Sequence, residues 1–106
     1  MLLCVILYQK EAGVIKSFKD KQTATIAAGK VTRRLPQDMQ RAALKKLRQL
    51  DAAAQLDDLR IPPGNRLEAL QGNREGQYSI RINDQWRICF RFESGNAHDA
   101  EIIDYH

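Results

Sequence analysis

Up to about Leu59 the apolar residues of this chain recur at helical spacing, and from about Arg66 they recur at every second position. Val14–Phe18 alternates as a short strand, and Asp20 stands where a helix needs an N-cap, with Gly29 where that helix must end after Ala28. Pro36 suits the first turn of a second helix. In it Met39, Ala43, Leu47 and Leu50 share one face, while Arg41, Lys45 and Arg48 lie on the other. Asp51 can cap a further helical piece, Ala52–Leu59, which the Pro62-Pro63-Gly64 breaker terminates. Strands are predicted at 66–70, 77–82 and 86–92, separated by turn signals at Gly72-Asn73 and Asn83-Asp84. A turn around Ser94-Gly95-Asn96 leads to a last strand, Ala100–His106. The expected fold is α+β, a small antiparallel sheet with the N-terminal helices packed on one face.

Alternation also sorts the strand side chains. Trp86, Ile88, Phe90 and Phe92 share a face with Tyr78, Ile80 and Ile82 and form the core against the helices. Arg87, Cys89 and Arg91 then point the other way with Ser79 and Arg81, which puts Arg81, Arg87 and Arg91 on the face the helices leave uncovered. His98, read as part of a loop beside Asp99, has no evident partner.

The first thirteen residues do not share this pattern. Met1–Tyr8 is an apolar run without the basic start or small-residue cleavage site of a secretory signal, and it is too short to span a bilayer. A bacterial ribosome-binding sequence read in frame, AAG-GAG, would translate as Lys-Glu, and Lys10-Glu11 precedes Val14, which GTG would encode, at the right distance. Residues 1–13 are therefore read as an upstream extension and 14–106 as the domain. The rival reading is a genuine N-terminal strand covering a sheet edge or a partner site.

Composition narrows the function. At 106 residues the chain holds one domain, and with 17 Lys and Arg against 13 Asp and Glu its net charge is +4. Residues 14–60 carry eleven cations against five acids, whereas 61–106 carry five against seven, and all five of those cations are arginines: Arg66, Arg74, Arg81, Arg87 and Arg91. An arginine fork matches phosphate oxygens, although arginine also alternates with apolar residues in any half-buried strand. Cys4 and Cys89 are too few for a disulfide scaffold and read as reduced thiols of a cytoplasmic protein. No Cys/His cluster has metal-ligand spacing, no glycine-rich phosphate loop occurs, and no apolar run approaches 18 residues. Zinc sites, P-loop chemistry and membrane spanning are excluded, and no cofactor is expected.

Four patches carry a resemblance: Pro62-Pro63-Gly64-Asn65-Arg66-Leu67-Glu68-Ala69-Leu70, Gly72-Asn73-Arg74-Glu75-Gly76, Ile82-Asn83-Asp84-Gln85-Trp86-Arg87-Ile88, and the ending Asp104-Tyr105-His106. In this order, and with Ile15-Lys16-Ser17-Phe18 at the start, residues 14–106 resemble the HigB branch of the RelE-like bacterial toxins. The resemblance implies a ribosome-dependent messenger-RNA endonuclease with mRNA on the 70S ribosome and ribosomal RNA as partners. It also implies neutralisation by a helix-turn-helix antitoxin of the HigA type. Cleavage of RNA without a metal needs a base for the 2′-OH, a cation on the phosphate and an acid for the leaving 5′-oxygen.

By position in the resemblance, Glu68 is the candidate base. It matches a catalytic glutamate of YoeB-type toxins and departs from the histidine of the usual HigB pattern. Arg87, in the Trp-Arg pattern, is the candidate phosphate clamp, its alternative being a structural arginine paired to an acid such as Asp104. His106 is the candidate acid, the side chain suited to proton donation near neutral pH. Asp104 either orients His106, with which it shares a face, or holds an arginine. Tyr105 would face away from both in a regular strand, so a stacking or phosphate contact requires an irregular strand end. Arg74, Arg81 and Arg91 are further RNA contacts. Arg41, Lys45, Lys46 and Arg48 form a basic helical face that meets ribosomal RNA or an acidic antitoxin segment, or is simply solvated.

Two other functions fit the same scaffold. A ParE-like inhibitor of DNA gyrase would replace acid and base with protein contacts. A generic RNA-binding module would interleave aromatic side chains with the basic ones on the exposed face, where none is expected.

Overall fold

The computed structural model describes residues 13–105. The reading of residues 1–13 as an extension concerns, apart from Gly13, residues outside that range. Two helices, α1 (Lys21–Ala27) and α2 (Gln37–Asp51), precede four strands: β1 (Glu68–Ala69), β2 (Gln77–Arg81), β3 (Trp86–Glu93) and β4 (Asn96–Asp104). The strands pair antiparallel in the order β1-β2-β3-β4, and both helices contact β4 on one face of the sheet.

Local chemistry places these elements. Asp20 caps α1, its carboxylate accepting from the Thr23 backbone N–H at 3.1 Å and the Thr23 hydroxyl at 2.7 Å. Thr23 is fully buried and also accepts from the Ile102 N–H at 2.9 Å, which ties α1 to β4. Gly29 ends the helix at φ +85°, a conformation open to glycine for want of a Cβ. Met39, Ala43, Leu47 and Leu50 of α2 are buried as their spacing predicts, packed with Ile26, Ile80, Ile88, Phe90 and Ile102. Removing water from that apolar surface is the main source of stability.

Three boundaries differ from expectation. Asp51 does not start a new helix. It is the last residue of α2, and its carboxylate accepts from the Ile15 N–H at 2.9 Å while its carbonyl accepts from the Val14 N–H at 2.9 Å. The helical piece after it is a 3-10 turn, Leu56–Arg60, where Asp58 supplies the cap by accepting from the Ala54 and Gln55 N–H groups. The strand expected over 66–70 shrinks to β1, because Arg66 adopts the left-handed conformation at φ +47°. Such a φ in a non-glycine residue costs about 1–2 kcal/mol and interrupts extended backbone.

The third difference is the start of the last strand, at Asn96 rather than Ala100. Ser94 and Gly95, both at positive φ, make a two-residue hairpin turn between the paired residues Glu93 and Asn96. Further on, Asp99 at φ +56° forms a bulge, so that Asp99 and Ala100 together lie between the pairs Arg91↔His98 and Cys89↔Glu101. The bulge lets Ala97 and Ala100, an odd number of residues apart, both bury their side chains in the core. It also places His98 within β4, opposite Arg91, and not in a loop. Residues 14–19 run parallel to β4 through two isolated bridges, Ile15↔Ala97 before the bulge and Phe18↔Ala100 at it.

Candidate active site

The face of the sheet away from the helices is closed at its centre. Ser79 and Cys89 are fully buried there and Arg87 is 6% exposed. The register aligns Glu68, Ser79, Cys89 and Glu101 in one row across all four strands, and Arg81, Arg87 and Ile103 in the next. Arg87 leans diagonally from its row towards β1. Its Nε donates to the Ser79 hydroxyl at 2.9 Å, and its Nη2 donates to the Arg66 carbonyl at 2.6 Å. The Glu68 carboxylate stands 3.9 Å from the same Nη2 with half its surface exposed. The carboxylate beside Arg87 is thus Glu68 and not Asp104.

Tyr105 completes this arrangement, its ring centroid 4.9 Å from the Arg87 guanidinium carbon. A ring face attracts a cation through its quadrupole, worth about 0.5–2 kcal/mol according to exposure. The expectation for this tyrosine is corrected: no irregular strand end is needed. Since Asp104 pairs with Trp86 and Ile103 with Arg87, regular alternation carries Tyr105 to the arginine side and Asp104 to the side of Trp86. Asp104 accepts from the Gln85 side chain at 3.1 Å, and the Tyr105 N–H donates to the Gln85 carbonyl at 2.6 Å. His106 lies outside the described residues.

Arg66, Arg81, Asn83, Asp84, Arg87 and Tyr105 line a cleft of about 260 Å³. Arg81 pairs there with the fully solvated Asp84. Of the five guanidinium N–H groups of Arg87, one is given to Ser79 and one to Arg66, both neutral acceptors, so the positive charge is fixed in direction without being neutralised by them. A preorganised cation at the wall of a cleft is suited to hold an anionic phosphate oxygen, with a carboxylate and a phenol beside it. Among the described residues no group of three His, Cys, Asp or Glu side chains is placed to hold a metal ion.

The remaining candidates divide. Arg91 is four residues from Arg87 on β3, roughly 13 Å at strand spacing, and is held between Glu93 at 3.7 Å and Asp99 at 3.5 Å. The five arginines therefore do not surround one site. Arg74 donates to Gln77 at 3.1 Å and to Glu101 at 3.2 Å, over the row that contains Cys89. Burial pushes the Cys89 thiol above its ordinary 9.0, with Arg74 and Arg87 opposing and Glu101 reinforcing the shift. Arg41, Lys45 and Arg48 are exposed and border a shallow groove with Leu44, Gln49 and Ala52, on a separate surface.

Lys46 does not belong to that surface. Its ammonium donates to the Asn65 side chain, and burial, with Lys45 and Arg81 as neighbouring cations, lowers its pKa. Sequence reasoning missed Ser79, the Arg66 carbonyl and Asn65. Ser79 could have been found from its place on the arginine face, whereas a carbonyl turned by a left-handed residue leaves no periodic signal.

The same fold occurs in YoeB of the YoeB–YefM complex from Staphylococcus aureus, with a TM-score of 0.56 at 18% identity, over 87% of this chain and 97% of that one. This is the fold of a RelE-like toxin. The family model for the RelE-like toxin of type II toxin–antitoxin system HigB matches residues 16–106, and the chain belongs to this family. It is 46% identical over 81 residues to Toxin HigB-1 of Vibrio cholerae serotype O1, covering 76% of this chain and 85% of that protein. It is 36% identical over 94 residues to Endoribonuclease HigB of Proteus vulgaris, covering 88% of this chain and all of that protein.

Proposed function

We propose that this HigB-like toxin is a ribosome-dependent mRNA endonuclease that cleaves without a metal ion. The observation that carries the reading is Arg87, buried, aimed by Ser79 and Arg66, and set beside Glu68 and Tyr105 at the wall of a cationic cleft. The name of the Proteus vulgaris relative, Endoribonuclease HigB, supports cleavage of RNA. Glu68 takes the proton of the 2′-OH, and the freed 2′-oxygen attacks the adjacent phosphorus while Arg87 holds a non-bridging oxygen. The bond from phosphorus to the 5′-oxygen then breaks. His106 gives that oxygen its proton, leaving a 2′,3′-cyclic phosphate and a 5′-hydroxyl, while Asp104 holds the Gln85 side chain on the other side of the strand. Tyr105 contacts the phosphate or stacks on a base, and Arg81 binds a neighbouring phosphate.

The partners follow from the same reading. Arg41, Lys45 and Arg48 meet ribosomal RNA on their separate surface, and Arg74 and Arg91 play smaller parts because acids already hold them. A helix-turn-helix antitoxin neutralises the toxin in the cytoplasm. The YoeB neighbour, found in a complex with YefM, supports a protein partner on this fold. Primer extension on transcripts after induction tests the reading. Cuts within translated codons that vanish without ribosomes are expected, and toxicity without such cuts would overturn the ribonuclease in favour of gyrase inhibition.

A further inference from the structure

Asn65 has no place in the chemistry above, yet it is a fully buried amide with both polar atoms of its side chain engaged. Its Nδ2 donates to the Leu59 carbonyl at 3.1 Å, to the Gln49 side chain at 3.2 Å and, at 3.5 Å, to the Ile61 carbonyl. Its Oδ1 accepts from Lys46, and its backbone N–H donates to the Pro62 carbonyl at 3.0 Å. Lys46 and Gln49 both belong to α2, so the amide fastens the 59–65 loop to the longest helix of the fold. The next residue is Arg66, at φ +47° and ψ +55°. A non-glycine residue persists in that region only where its surroundings overdetermine it. The carbonyl of this residue is one of the two acceptors that aim Arg87.

We propose that Asn65 is the positioning residue for Arg87: anchored to α2 through Lys46 and Gln49, it holds Arg66 left-handed so that its carbonyl fixes the guanidinium. The purpose of a buried amide here, where an apolar side chain would pack at less desolvation cost, is orientation. Its catalytic consequence rests on the proposed role of Arg87 as the phosphate clamp; the geometric part does not. Asn65 is too deeply buried to touch RNA, so it acts on cleavage only through the arginine.

The test is Asn65→Ser, with the Arg87 Nε–H resonance read by nitrogen-15 NMR beside single-turnover cleavage of ribosome-bound mRNA. The Arg87 signal is expected to move towards that of a free arginine, with the maximal single-turnover rate falling about tenfold at an unchanged half-saturating concentration. In an Arg87→Ala background the same substitution should cost nothing further, since a residue that acts through a group is silent once the group is gone. If Asn65→Ser does not fold, Lys46→Met and Gln49→Met each remove one tie to α2 and are read by the same resonance. A folded variant with an unchanged Arg87 signal, or an equal loss of rate with and without Arg87, overturns the proposal. A shifted resonance in a protein that cleaves no RNA upholds the positioning and sinks the ribonuclease reading.

Discussion

Arg87 and Arg91 lie on one strand, point to one face and carry one charge, yet the fold gives them opposite surroundings. Arg87 has a side chain 7% exposed and is aimed by a hydroxyl and a carbonyl, with a single half-exposed carboxylate at 3.9 Å. Arg91 has a side chain 45% exposed between two carboxylates, Glu93 and Asp99. Neutral acceptors orient a cation and leave its charge for a ligand, whereas two acids satisfy it locally. Exposure alone would favour Arg91 as the RNA contact. Preorganisation favours Arg87, because a buried guanidinium loses little freedom when a phosphate arrives.

Replacing each arginine by alanine gives the largest contrast. Arg87→Ala should lower the cleavage rate by about 10²–10³-fold, the scale of losing a preorganised donor to a developing charge. Arg91→Ala should stay within about 0.5 kcal/mol in stability, as exposed ion pairs do, and within about twofold in rate. Single-turnover cleavage and thermal melts of both variants check this. Equal losses at the two positions would remove the distinction between them.

The acids separate in the same way. Glu68→Gln should lower the rate about 10²-fold, the lower end of what a positioned base contributes, with RNA binding retained. Glu93→Gln and Asp99→Asn, at the Arg91 end, should be silent. Glu68→His should recover part of the activity, because imidazole is also a competent base and is the residue of the usual HigB pattern. A glutamine variant that cleaves at the wild-type rate would assign Glu68 to holding Arg87 only.

This contrast was half legible in the sequence. Alternation from Trp86 to Phe92 put both arginines on the correct face and the apolar residues in the core, because a period of two follows directly from strand geometry. It could not rank them. One of the two acids beside Arg91, Asp99, sits on a bulge that breaks the alternation of β4, and one of the two acceptors of Arg87 is a backbone carbonyl turned by a left-handed residue. Local breaks in backbone geometry carry no hydrophobic period, and both arginines owe their surroundings to one. Family resemblance drew Glu68, Arg87 and Tyr105 together where composition alone could not, while the side of the sheet taken by Tyr105 emerged only from the register.

Ser79 offers a finer test of orientation. Ser79→Ala removes the acceptor of the Arg87 Nε in a fully buried position, leaving a charged donor unsatisfied. The expected loss is about 1–3 kcal/mol in stability, with a fall of about tenfold in rate. Ser79→Thr keeps the hydroxyl and should recover the rate even if its extra methyl lowers the melting temperature. Failure of threonine to recover the rate would mean that the Nε contact does not aim the guanidinium.

Cys89, midway between the two arginines on β3, gives the smallest effect and reports on the burial that Arg87 has and Arg91 lacks. Its thiol is held above 9.0 chiefly by burial, so the folded protein keeps a proton that the unfolded chain releases. The resulting stability is fully present below pH 9 and is lost as pH rises through the raised folded value. Lys46 works in the opposite sense: its folded value lies below 10.5, so the destabilisation it brings at neutral pH is relieved as pH climbs towards 10.5. Cys89→Ala isolates the first contribution. Between pH 8 and pH 9.5 the wild type should lose stability relative to this variant, by less than about 1 kcal/mol. Below pH 8 the difference between them should be constant. Parallel melting curves across the whole range would mean that water reaches the thiol, and with it the row of side chains that screens Arg87 and leaves Arg91 exposed.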